Sequence, residues 1–275
     1  MSSAAIQRQY NEVIAANYDL DPQSVTRRAL ARALTQLRDD GLLSAGMPPL
    51  KVLDLGMGTG LFFESLGRET QREIEPFGLD ISERMVEIAH ARIPHLTSAI
   101  DDAANFDAHF ADESFDLICT HFITGFVPME HLAPLIWSRL KPGGCWSFVG
   151  AISTAYPEMQ RKAQSRLLRA MFGGQQFKPD SLLTPADCDA VVRSFERHNF
   201  RTCASELFEP ELVFNTFDDF MEFAYRGGWL TPFVEEMGLH EAGPLLKGVL
   251  NAMVFPFRDH HRIAIGLAER PLEEL

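Results

Sequence analysis

The hydrophobic positions change their period along the chain. Between residues 22 and 38, Val25, Ala29, Leu30, Ala33, Leu34 and Leu37 recur at helical spacing, which puts them on one face of a helix. Asp21-Pro22 supplies its start signal, and after Gly41 the residues Gly46, Pro48 and Pro49 break the pattern. Residues 4–18 read as an earlier helix. From Leu50 the rhythm differs. Short apolar runs at Leu50–Leu55, Glu75–Asp80, Phe115–Thr120 and Cys145–Val149 alternate with helical patterns at about 61–69, 82–91 and 133–140. Ser82 reads as the cap of the second of these helices. Strands alternating with helices at this spacing predict βαβ units and a parallel sheet.

After Ile152 the alternation loosens. A helical pattern covers 155–180 with a break at Gly173-Gly174. Thr184-Pro185-Ala186-Asp187 starts a helix to about His198, and Phe200–Phe208 reads as a strand. Residues 209–258 are a long aromatic, helix-rich stretch. A strand over 261–268 closes the pattern.

The first strand runs into Asp54-Leu55-Gly56-Met57-Gly58-Thr59-Gly60. Glycines there let the backbone turn tightly and approach a ligand without Cβ interference. A dinucleotide fingerprint needs G-x-G-x-x-G, and its third glycine would fall at Leu61. A phosphate-binding Walker loop also fails, because no Gly-Lys-Ser/Thr follows. Asp80 ends the second strand, where an acidic residue can accept hydrogen bonds from both hydroxyls of a ribose.

These stretches resemble the class I S-adenosylmethionine-dependent methyltransferases. Val52–Gly60 resembles the family's first motif, and Phe77-Gly78-Leu79-Asp80-Ile81-Ser82 with Met85 its acidic second motif. Asp102-Ala103 resembles the adenine-contact motif, Ser114–Ile118 the fourth-strand motif, and Leu140–Gly144 the turn before strand five. The resemblance covers about 48–152 and continues weakly through 181–208 and 260–270. It implies a Rossmann-like, doubly wound α/β fold with a seven-stranded sheet whose last strand is antiparallel, plus helical cap insertions. The chain reads as one methyltransferase domain over 1–275, with core at about 48–152, 181–208 and 260–270 and cap at about 1–45, 155–180 and 209–258.

The resemblance also implies roles. Gly56, Gly58 and Gly60 would line the methionine portion of S-adenosylmethionine, with Asp54 orienting the loop and Met57 presenting its backbone. Asp80 would hold the ribose, and Ile81 and Met85 would pack on the adenine. Asp102 and the Ala103 backbone would read the adenine edge. His121 would face the methionine end, and Tyr18 would close over the cofactor.

Composition narrows the partners. The 275 residues carry 25 Lys+Arg against 38 Asp+Glu, a formal net charge of −13. That balance opposes nonspecific binding to a phosphate backbone and favours a small-molecule acceptor over nucleic acid. The four scattered cysteines read as buried small hydrophobes in a reducing compartment. No apolar stretch approaches the length of a bilayer span, and no secretory leader pattern is visible, so the expected location is cytoplasmic.

Methyl transfer needs alignment of the acceptor and exclusion of water, and a base only where the acceptor must lose a proton. The candidate bases are the histidines, Tyr10 and Tyr18. Position favours His121 at a strand end, and His260 and His261 just before the closing strand. Asp259, His260 and His261 make a poor metal set, because neighbours on a strand point to opposite faces, and no metal is expected. The aromatics Phe214, Phe217, Phe220, Phe223, Tyr225, Trp229, Phe233, Phe255 and Phe257 could line an apolar acceptor pocket. The i, i+3, i+4, i+7 spacing of Phe217, Phe220, Met221 and Ala224 fits core packing equally. The expected chemistry is methylation of a small apolar or aromatic metabolite on oxygen or nitrogen rather than carbon. The competing readings are a non-catalytic S-adenosylmethionine-binding protein and an NAD-dependent oxidoreductase.

Overall fold

A strand buried on both faces alternates its side chains between two cores, and β1 (Leu50–Leu55) does so. Leu50 and Val52 join one apolar cluster, while Leu53 and Leu55 join the other. In this computed structural model, which describes residues 3–110, 114–164 and 183–272, β1 lies inside a seven-stranded sheet of order β3-β2-β1-β4-β5-β9-β6. The other members are β2 (Ile74–Asp80), β3 (Thr97–Ile100), β4 (Phe115–His121), β5 (Leu140–Ala151), β6 (Arg201–Phe208) and β9 (Ile263–Glu269). Strands β1 to β5 are parallel, and β9 runs antiparallel to both β5 and β6. This is the Rossmann-like sheet with an antiparallel last strand.

Helices cover both faces. On one side α2 (Val25–Asp39), α3 (Leu61–Glu69) and α4 (Glu83–Arg92) bury Leu30, Phe62 and Ala89 against Val52 and Leu117. On the other, α6 (Met129–Arg139) and α8 (Cys188–Arg197) bury Ile136 and Phe195 against Ile118 and Trp146. The remaining helices near the sheet are α1 (Ser3–Gln9), which continues into a π-helical turn at Tyr10–Ile14, the short α5 (Phe106–His109), and α7 (Pro157–Ala163). The stretch read as a helix over 155–180 is described only as far as 164. Its Gly173-Gly174 break lies outside the described residues.

Three local readings are corrected. Asp21 is not the residue next to the first turn of α2. Ser24 is, and Asp21 reaches forward to accept from the backbone amides of Val25 and Arg27 at 2.8 and 3.1 Å. Strand β3 was not legible, because a four-residue edge strand carries no buried run. The aromatic stretch 209–258 is not wholly helical. It contains β7 (Glu211–Phe214), which pairs with β8 (Phe257–His260) in a separate antiparallel ribbon. Between them lie α9 (Phe217–Met221), α10 (Thr231–Glu236) and α11 (Pro244–Met253). His260 therefore belongs to β8 rather than to a lead-in to the last strand.

Candidate functional site

The site forms where β1, β2 and β4 end, the rim at which doubly wound sheets bind ligands. Beyond β1 the chain turns through Gly56, Gly58 and Gly60 at φ of 72°, 55° and 78°, a region open to glycine and costly for other residues. A Cβ on Gly56 would stand 2.1 Å from Cγ2 of Ile123. The amides of Gly56 and Met57 both donate to the carbonyl of Leu79, at 2.8 and 3.1 Å. The turn is thereby tied to β2.

Asp80 ends that strand and is buried. Its Oδ2 accepts from the amide of Gly58 and its Oδ1 from the amide of Ser82, each at 2.9 Å. Burial pushes its carboxyl up to about 6, against the lowering effect of these amides. Each oxygen keeps acceptor capacity for another donor.

Asp54 lies beneath the turn. Its Oδ1 is buried with no hydrogen-bond partner among the described residues, and burial raises its carboxyl well above the usual range. His121 is the second orphan. Its Nε2 meets Ser147 Oγ at 3.0 Å, its Nδ1 is buried without a partner, and burial lowers the imidazole to about 3. One donor atom each from Asp54, Cys119 and His121 falls within 4.8 Å of the others. Burial also raises the Cys119 thiol well above its ordinary value. A cation there would have to displace protons from both Asp54 and Cys119, which disfavours metal binding by the trio.

One cavity joins these residues. Its wall includes Tyr18, Gly56, Gly58, Asp80, Ile81, Met85, Asp102, Ala103 and His121. Three of the nominated cofactor residues stand behind the wall instead. Asp54 is under the turn. Met57 fills the space over Gly78, where a Cβ would meet its sulfur at 2.1 Å. Gly60 opens α3 and packs against Ala89 of α4. Of the nominated bases, His121 and His261 line the cavity, whereas His260 is exposed on β8.

The N-terminal segment closes the near side. Asp19 accepts from Thr59 Oγ1 at 2.6 Å and pairs with Arg92 at 2.5 Å, while Arg92 also donates to the Thr59 carbonyl at 2.6 Å. This cluster fixes Tyr18 beside Gly58. Farther along, Ser3 Oγ donates to Asp102 at 2.9 Å. Ile6 and Tyr10 also reach the cavity; sequence spacing gave no sign of the first, and named the second only as a candidate base.

The far side is aromatic, but not as the sequence suggested. Of the nine aromatics in 209–258 singled out above, Trp229 alone is in the described wall. Phe214, Phe217, Phe220, Phe223 and Phe233 are buried in an apolar core shared with Leu212, Leu250 and the sheet residues Val149 and Ile265. Beside it stand Phe122, directly after His121, and Tyr156, for which no spacing or motif offered a signal.

Residues 52–144 match the family described as "Methyltransferase domain". The fold around that stretch is the seven-stranded one with an antiparallel last strand. Residues 52–144 are thus a methyltransferase domain, carried on a fold that a solved methyltransferase shares. Among curated relatives, trans-aconitate 2-methyltransferase of Methylobacterium radiotolerans is 31% identical over 125 residues, 45% of this chain and 44% of the relative. Demethylmenaquinone methyltransferase of Thermotoga maritima is 28% identical over 174 residues, 58% of this chain and 74% of the relative. The match thus spans less than half the length of the first. Magnesium protoporphyrin IX methyltransferase from Synechocystis, solved with S-adenosylhomocysteine bound, shares the fold at a TM-score of 0.56 and 13% identity over 98% of this chain and 100% of that one.

The residues fit the family's cofactor. The turn leaves room for a ligand's approach, and Asp80 has free acceptor capacity for a ribose. Asp54 and His121 hold buried polar atoms without a partner among the described residues, near the turn. Leu61, where a third fingerprint glycine would stand, is a buried first residue of α3. Among the described residues no helix is long and apolar enough to cross a membrane.

Proposed function

We propose that the protein transfers a methyl group from S-adenosylmethionine to a small, apolar or aromatic acceptor, on oxygen or nitrogen. The observation that carries this reading is the continuity of one cavity from Asp80 and Asp102 to Trp229 and His261. A donor held by the first pair and an acceptor held near the second would share a single enclosed space.

When bound, the cofactor supplies an electrophilic methyl group on a sulfonium. The chain supplies position and dryness. Asp80 holds the ribose, and Ile81 and Met85 cover the adenine. Asp102 and the Ala103 backbone read its edge. Gly56 and Gly58 flank the methionine portion, with Tyr18 closing over it. The apolar walls at Ile123, Val127 and Leu230 exclude competing water. Where the acceptor is a hydroxyl, its proton must leave. His121 and His261 are the buried imidazoles on the wall, and burial keeps both neutral, so each can accept a hydrogen bond from such a hydroxyl. The acidic surface and the absence of a nucleic-acid motif favour a metabolite as acceptor.

Calorimetric titration of the purified protein with S-adenosylmethionine and with NAD tests the donor. S-adenosylmethionine should bind and NAD should not. Release of S-adenosylhomocysteine across an acceptor panel then tests transfer, and binding without release from any acceptor would favour a non-catalytic role.

A further inference from the structure

Two bulky residues on the cavity wall hold backbone angles that such residues rarely adopt. Phe122 has φ of 61° and Tyr156 has φ of 57°. Left-handed backbone at a large side chain is costly and persists only where its surroundings enforce it. Both positions are enforced. Phe122 donates its amide to the Val149 carbonyl at 2.6 Å, and Tyr156 donates its own to the His260 carbonyl at 3.0 Å. Asp259, itself buried, accepts from the amides of Glu158 and Met159 at 3.0 and 2.7 Å. It thereby pins the first turn of α7 directly after Tyr156.

The enforced geometry aims both rings at one place. Phe122 meets Trp229 edge-on at 4.9 Å, and Trp229 meets His261 edge-on at 4.7 Å. Tyr156 lies over His261 with ring centroids 4.5 Å apart. Its Oη is 3.0 Å from Nε2 and 3.3 Å from Nδ1 of that ring. One hydroxyl cannot give both imidazole nitrogens a well-aligned hydrogen bond. His261 is wholly buried while Tyr156 keeps slight exposure, so capacity left over in the pair is met from the cavity through Tyr156. Burial raises the Tyr156 hydroxyl and lowers the His261 imidazole, which keeps the pair uncharged.

We propose that Tyr156 and His261 together recognise the acceptor by a neutral hydroxyl on an aromatic ring, a phenol or enol, with Phe122 and Trp229 bounding the slot for that ring. This rests on the methyl-transfer reading, because it assigns the acceptor end of that same cavity. An apolar slot binds an aromatic ring by burial alone. A hydroxyl adds one hydrogen bond to a pair that is otherwise incompletely satisfied, and a site built to bond a hydroxyl discriminates against the analogue lacking it.

The test uses the full-length protein with S-adenosylhomocysteine present and three probes of one shape: 2-naphthol, 2-methylnaphthalene and 2-naphthoate. Affinities are read by calorimetry. The wild-type protein should hold 2-naphthol ~10-fold more tightly than 2-methylnaphthalene, the scale of one buried hydrogen bond, and should hold 2-naphthoate less tightly than 2-naphthol. Tyr156→Phe should reduce the naphthol preference to below ~3-fold while leaving 2-methylnaphthalene binding nearly unchanged. A merely structural role would weaken both probes alike. His261→Leu should act in the same direction, and Tyr156→Phe keeps the test decisive if that variant fails to fold. A wild-type protein that binds the donor yet shows no naphthol preference overturns the assignment. So does a Tyr156→Phe variant that keeps the preference. A protein that binds no donor would instead overturn the methyl-transfer reading itself.

Discussion

The amide of Gly58 donates to Oδ2 of Asp80 at 2.9 Å, so the glycine turn after β1 and the carboxylate that ends β2 form one unit. The carboxylate proposed to hold the ribose and the turn proposed to flank the methionine portion therefore cannot be disturbed independently.

Donor affinity should depend on the ionisation of Asp80. Its carboxyl is raised to about 6, and a ribose hydroxyl is better received by the carboxylate than by the acid. Affinity should be flat above pH 7 and fall by up to ~10-fold per pH unit below 6. Asp80→Asn should abolish that dependence and weaken binding by about 1–3 kcal/mol. The sign for stability is the reverse of the usual acidic residue. A folded carboxyl raised above its unfolded value destabilises as pH rises from about 4 to 6, and the deficit persists above. Asp80→Asn should thus recover up to ~3 kcal/mol at pH 7, less about 1 kcal/mol for a lost amide hydrogen bond. Calorimetry and thermal melts at pH 5 and pH 7.5 check both effects.

Gly56→Ala should damage fold and donor binding together. The new methyl meets Ile123 at 2.1 Å on a backbone at φ of 72°, and overpacking with strain costs about 1–3 kcal/mol. Pairing it with Ile123→Ala should recover the part due to the clash but not the part due to backbone strain. A double-mutant cycle of melting temperatures reads the coupling.

Met57→Ala separates packing from ligand contact. Its side chain fills the space over Gly78 behind the cavity wall. The variant should lose about 2–4 kcal/mol of stability through the cavity it leaves. Donor affinity in the folded protein should change by less than ~3-fold. A larger change in affinity than in stability would place Met57 in the binding site.

The Asp19, Thr59 and Arg92 cluster holds the segment that carries Tyr18. The ion pair is partly exposed, at 33% and 20% for the Asp19 and Arg92 side chains, so its own contribution is modest. Arg92→Ala should cost ~1 kcal/mol or less in stability. It should speed donor release, seen in stopped-flow dissociation as a ~3–10-fold increase.

Acid should unfold the protein partly through His121 and His261. Both are held neutral by burial at about 3, far below the ordinary histidine value. The unfolded chain gains protons that the folded chain refuses, so their contribution is complete above about pH 6.5 and is lost as pH falls toward 3. His261→Leu should flatten the dependence of stability on pH across that window, as measured by urea unfolding at a series of pH values.

The sequence by itself determined the sheet's central strands, the glycine turn, Asp80 at the end of β2 and the capped helix that follows at Ser82. Each of these is local. A strand buried on both faces is mostly apolar, a turn at positive φ favours glycine, and a helix start favours a side-chain acceptor. The requirement therefore appears in adjacent residues. The acceptor end of the cavity left no such trace. Tyr156 and His261 are 105 positions apart, and Phe122 meets Trp229 across a comparable span. Nothing in their neighbours' periodicity requires them to meet. The same is true of β7 with β8, and of Asp19 with Arg92. The phenylalanines of 209–258 carried helical spacing whichever way they faced, and only packing decided that five of them fill a core while Trp229 lines the cavity. Burial of one face sets a local pattern, whereas convergence of side chains from distant segments is decided when the layers close on one another.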